Sequence, residues 1–155
     1  MPEGASVMLR ESLNKSTEVL EEELREARSF SSFADGFDEE FLSAEVGRDL
    51  SALIRERKAR KAQLFLDAGI HENYGYQILS GKRYPSREVL LSIFLSLRLT
   101  PEEANVFLKT HGFSPLYVRR KADAAVIYSL LHGWSVMQCN ELLFENGLPL
   151  LVKEV

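Results

Sequence analysis

Two glycines twelve residues apart, Gly69 and Gly81, constrain this chain more than any other feature. Each ends a short amphipathic run. The first run, Lys61 to Ala68, stops at Gly69, which suits the left-handed backbone that ends a helix and starts a tight turn. The second run begins about two residues later and stops at Gly81. Leu64, Phe65 and Ala68 fall on one face of the first run, and Tyr74 and Ile78 on one face of the second. Opposite Tyr74 and Ile78 lies a polar stripe of Asn73, Gln77 and Ser80, with Glu72 and Tyr76 beside it.

A helix with an apolar back and an amide-bearing front, joined by a tight turn to a support helix, has the layout of a helix-turn-helix. Roughly from Asp49 to Leu97 the chain resembles the XRE family, the Cro-like phage-repressor type. The matching features are Leu64-Phe65, Ala68-Gly69-Ile70, the step from Gly69 to Gly81, and the exit Gly81-Lys82-Arg83-Tyr84-Pro85-Ser86. The resemblance implies a four-helix unit of lambda-repressor-like type and a sequence-specific transcriptional regulator of double-stranded DNA, with the helix at 72–80 in the major groove. By the same resemblance Glu72, Asn73, Tyr76 and Gln77 contact bases, and Lys61, Lys82, Arg83 and Arg87 contact phosphates. Paired amides suit adenine edges, and a carboxylate can accept from cytosine. Gln77→Ala is then expected to lose discrimination at one base position and to spare binding to random DNA. Gly75 departs from the pattern: it stands mid-helix where the family buries an aliphatic side chain, at about 1 kcal/mol against Ala. The recognition face also carries no Arg or Lys. A second reading stays open, in which a helix-turn-helix scaffold that no longer binds DNA serves as a protein-interaction adaptor.

Charge bears on the choice through its distribution. The net charge is -4. Residues 1–50 hold 5 basic and 13 acidic side chains, whereas residues 51–100 hold 9 basic and 4 acidic. The basic excess coincides with the reading unit, and Arg55, Arg57, Lys58, Arg60 and Lys61 are its densest part. These are either a helix end favoured by the dipole or a phosphate-facing patch.

The flanks are helical by pattern. A first helix of the reading unit is expected from about Ser43 to Arg57, with Val46, Leu50, Leu53 and Ile54 inward. Ser86 is a good N-cap for a helix over Arg87 to Ser96. Residues 3–30 read as an acidic helical arm with Leu9, Leu13, Leu20 and Leu24 on an imperfect stripe, and Ser29 to Gly36 as a linker docked by two phenylalanines. Beyond residue 98 the segment Leu99–Phe113 aligns with Trp134–Leu148 at an offset of 35. Both copies open with a capping box, Thr100/Glu103 and Ser135/Gln138. Both carry an asparagine, Asn105 or Asn140, and both end on a glycine. Residues 87–97 match 122–132 more weakly, so each unit is a helical hairpin. The helix ending near His132 is apolar nearly all round and is expected to be the buried centre of this half.

The expected architecture is therefore all-α, with about eight helices. It divides into an arm and linker (1–36), the helix-turn-helix domain (37–98) and a helical extension packed on the same core (99–155). A homodimer is expected, because one helix reads only a few base pairs. The arm or the apolar tail Leu148-Pro149-Leu150-Leu151-Val152 could also carry a protein partner. No apolar run reaches the roughly 18 residues of a membrane span, so a cytoplasmic protein is the default. The lone Cys139 excludes an intrachain disulfide. His71, His111 and His132 share no ligand spacing. No phosphate loop or nucleophile-base cluster appears, so the sequence makes no case for an enzyme, a metal or a cofactor.

Overall fold

The computed structural model describes residues 15–37 and 41–152. Leu9 and Leu13, half of the arm's expected stripe, lie outside them. Nine helices occur among the described residues, and no strand: α1 Thr17–Glu26, α2 Phe30–Gly36, α3 Leu42–Glu56, α4 Lys61–Ala68, α5 Glu72–Ser80, α6 Arg87–Ser96, α7 Pro101–Thr110, α8 Lys121–Leu131 and α9 Val136–Glu145. No described helix is long and apolar enough to cross a membrane.

The helix beyond the expected eight is α2, read from sequence as linker. Ser29 caps it by accepting from the Ser32 N–H at 3.0 Å, and Phe33 is buried with its ring 5.0 Å from Phe37 and 6.2 Å from Phe41. Of the two phenylalanines expected to dock this segment, Phe33 does so, on a helical turn rather than a loop, whereas Phe30 is 67% exposed.

The centre of the molecule is α6, where Leu90, Leu91, Ile93, Phe94 and Leu95 are all at most 2% exposed. Burying each such side chain is worth about 1.5–3 kcal/mol, so α6 is the largest single contributor to the core. The central role expected of α8 is a misreading. Tyr128 is 45% exposed and Leu131 65% exposed, and only Asp123, Val126, Ser129 and Leu130 are buried there. Apolarity all round α8 does not bring a neighbour to every side of it. The segment at Ser114–Arg120 is also non-helical, so α8 starts later than its leading proline turn suggests.

Close backbone contact fixes α5. A Cβ at Gly47 of α3 would lie 2.5 Å from the Leu79 carbonyl oxygen and 2.7 Å from that of Ile78. Gly81, at φ 86°, closes over Ala44. On its other side, a Cβ at Gly75 would lie 2.5 Å from the Phe65 ring. Phe65 is fully buried, so a large side chain from α4 fills the space left by the missing one on α5. Its burial exceeds the roughly 1 kcal/mol of helix propensity that Gly75 forfeits.

The repeat is present in three dimensions. Asn105 Oδ1 accepts from the Leu116 N–H at 2.7 Å, and Asn140 Oδ1 accepts from the Leu151 N–H at 2.9 Å. Both members of each bond are related by the offset of 35. Both capping boxes form. Equivalent positions are buried in both hairpins: Leu91 and Val126, Leu95 and Leu130, Ala104 and Cys139, Leu108 and Leu143. One core cluster runs from Val46 to Leu143 through both halves of the chain. The apolar tail folds back, with Leu151 against that core and Val152 3.8 Å from the position a Gly69 Cβ would take.

Candidate nucleic-acid interface

The turn between α4 and α5 forms because Gly69 takes φ 72° and the Ile70 N–H reaches back to the Phe65 carbonyl at 2.9 Å. Ile70 is buried and anchors the turn. His71 caps α5, its Nδ1 accepting from the Asn73 N–H at 3.2 Å. Glu72 stands in the first helical turn, where the positive end of the dipole favours a carboxylate.

With Gly75 and Ile78 buried against α3 and α4, the opposite side of α5 is left to solvent. Glu72 and Asn73 are exposed, Tyr76 is 41% exposed and Gln77 is half-buried. These four occupy steps of one, three and one residues, so they share one face. Tyr76 is steadied edge-on against Phe65, ring centroids 5.7 Å apart. Gln77 Oε1 accepts from Arg83 Nε at 3.2 Å, and the Arg83 N–H donates to the Gln77 carbonyl at 3.2 Å. Arg83 thus folds back over the end of α5, with Lys82 exposed beside it.

Lys61 is exposed at the start of α4. Its neighbour Arg60 lines one cleft with His71 and Glu72, which brings the openings of α4 and α5 side by side. Arg60, one of the basic run that reads as either a helix end or a phosphate-facing patch, lies on this surface, and Gln63, which the sequence did not single out, joins it. Gln63 is the weaker addition, because its Nε2 donates to Asp67 Oδ1 at 2.8 Å. Of the basic run before α4, Arg57 turns away and pairs with Glu103 at the start of α7.

Arg87 departs from the expectation of an outward cation. Its Nε donates to the Ser114 carbonyl at 2.9 Å, and Nη1 and Nη2 hold both oxygens of Asp123 at 3.1 and 3.0 Å. Nη2 also reaches the Pro115 carbonyl at 3.2 Å. Asp123 is buried and accepts from the Tyr117 N–H as well, so this fork ties α6 to the start of α8. A guanidinium committed in this way has little left for a phosphate.

Two titrating groups lie away from this face. The Thr100 backbone N–H, with Arg57 second, holds the Glu103 carboxyl below its ordinary range. Burial pushes the Cys139 thiol up, against a weaker opposing hydrogen bond from Ser129. Among the described residues no group of three or more His, Cys, Asp or Glu side chains is placed to hold a metal ion. Compared with known proteins, the chain matches no family model, no curated protein and no solved structure.

Proposed function

We propose that this chain is a sequence-reading DNA-binding regulator of the cytoplasm, built on a helix-turn-helix unit of lambda-repressor-like arrangement and similar to the XRE family. The observation that carries the reading is the outward face of α5: Glu72, Asn73 and Tyr76 are exposed there, and Arg83 braces the half-buried Gln77 beside them. In this reading α5 enters the major groove. Glu72, Asn73, Tyr76 and Gln77 meet base edges, and Lys61, Lys82 and Arg83 meet phosphates, joined by Arg60. Arg87 is left out of the phosphate set because its donors are engaged internally. The protein acts as a two-fold dimer whose recognition helices lie about 34 Å apart, one turn of the duplex.

Titration of the native protein with random and genomic DNA at two salt concentrations tests this. A phosphate-contacting protein loses affinity steeply with salt, and a reader of sequence keeps a preferred site at both concentrations. Absence of binding at both salts favours the adaptor reading. That reading draws on one observation, the three large apolar side chains Leu66, Met137 and Phe144, each more than 70% exposed.

A further inference from the structure

We infer that the groove between α4 and α9 is a docking site for a basic amphipathic helix of a partner protein. The groove encloses about 480 Å³. Leu66, Met137 and Phe144 line it, and they are 71%, 72% and 76% exposed. No other large apolar side chain among the described residues is as exposed. Concentration of such side chains in one groove, rather than their scatter, marks an interaction surface.

For Met137 and Phe144 the internal repeat indicates that this type of hairpin folds without an apolar side chain at either position. Met137 and Phe144 of α9 correspond, at the offset of 35, to Glu102 and Lys109 of α7. Both of those charged residues lie exposed on a helix otherwise built alike, down to its capping box. The second hairpin has therefore placed apolar residues where its sibling places charges. Met137 and Phe144 are seven residues apart, which puts them on one side of α9 about 10 Å apart along its axis. That spacing matches two turns of a helix laid in the groove.

The rim decides the occupant. Asp67, Glu141 and Glu145 border the groove, all exposed, and no Lys or Arg lines it among the described residues. Glu141 and Glu145 form no ion pair with a described residue. A partner helix with Lys or Arg flanking its apolar stripe satisfies both parts of the surface. A second copy meeting this face symmetrically would set the three carboxylates against themselves, and an anionic membrane surface would be repelled. The inference does not depend on DNA reading, since none of these residues lies on the outward face of α5.

The test uses the full chain and two labelled peptides of roughly 18 residues, long enough to hold a helix. Both carry leucines on one face. One has Lys and Arg on the flanks, and its twin has Glu. Fluorescence anisotropy should show saturable binding of the basic peptide, about tenfold or more tighter than the acidic twin. The double variant Met137→Glu/Phe144→Lys borrows the sibling's residues and leaves net charge unchanged. It should unfold at the same temperature as the parent and lose about tenfold or more of the binding. Equal binding of the twins, no binding of either, or undiminished binding by the double variant would each overturn the proposal. So would light scattering that shows a dimer of the parent and a monomer of the double variant, since a second copy would then occupy the groove.

Discussion

Gln77 and Arg83 hold each other: the side-chain oxygen of Gln77 accepts from Arg83 Nε at 3.2 Å, and its carbonyl accepts from the Arg83 backbone N–H at 3.2 Å. One is expected at a base edge and the other at a phosphate, yet they form one unit. Gln77→Ala should therefore do more than cost about 1–3 kcal/mol of discrimination at one base position. By freeing Arg83 it should also weaken binding to random DNA, which the sequence alone would leave untouched. Arg83→Ala should lower the salt slope by about one and soften discrimination at the Gln77 position as well. Titrations of both single variants and the double variant should be non-additive. Strict additivity would mean that the pair acts as two independent contacts.

Gly75→Ala should destabilise the fold despite its better helix propensity. The added Cβ would lie 2.5 Å from the buried Phe65 ring. Overpacking of this kind costs about 1–3 kcal/mol, against a gain of about 1 kcal/mol in propensity. Adding Phe65→Leu should recover part of the loss by removing the obstructing ring edge. Urea unfolding of the three proteins measures this, and a more stable Gly75→Ala single variant would reject the packing account.

Arg87→Ala should cost up to about 3–5 kcal/mol, because it leaves the buried Asp123 carboxylate with only the more distant and exposed Arg120 guanidinium, at 3.9 Å, as a cation. The side chains of Arg87 and Asp123 are 20% and 6% exposed. Arg87→Ala/Asp123→Asn should be less damaging than Arg87→Ala alone. If Arg87→Ala instead keeps full stability and lowers the salt slope of DNA binding, the residue faces phosphate after all.

Glu103 sets a pH dependence of definite sign. Its pKa lies below the ordinary 4.5 because the Thr100 N–H and then Arg57 favour the charged form. The stability it contributes is therefore complete above the unfolded pKa and is lost as pH falls through the lower, folded one. Glu103→Gln keeps the cap, as Gln138 does in the second hairpin, and removes the charge. Melting temperature measured from neutral to acidic pH should be slightly lower for the variant at neutral pH, and the two curves should converge at the acid end. Curves that stay parallel throughout would assign the effect to the cap alone.

Helix ends were the most legible part of the fold. Ser86, Thr100 and Ser135 each cap the helix their sequence announces, and Gly69, Gly81, Gly112 and Gly147 each take positive φ at a stop. These signals are local, so sequence carries them. The asparagine pair of the repeat was legible as a recurrence but not as a purpose, since its bond partners lie eleven residues away. What depends on packing between elements was not legible. Ser86-Arg87 reads as an exposed helix start, and nothing nearby announces that Asp123 will claim the guanidinium. Apolar periodicity in α8 does not say which of its sides meets a neighbour, and Gly75 reads as a defect until Phe65 is seen against it. On the candidate interface the outward set of α5 followed from periodicity, whereas its coupling to Arg83 needed the path of the chain after Gly81.

The contact of Gly47 with the Ile78 and Leu79 carbonyls separates aiming from reading. Main chain rests on main chain there, with no side chain acting as a spacer. The tilt of α5 is then set by atoms that every amino acid shares, while its outward side chains bear no part of that support. If α5 reads DNA as proposed, exchanges at Asn73 would alter what the surface recognises without turning the helix that presents it. On that reading such a chain would drift among targets by substitution on one face, and the close contact at Gly47 is the place where a single added methyl would shift all the outward side chains together.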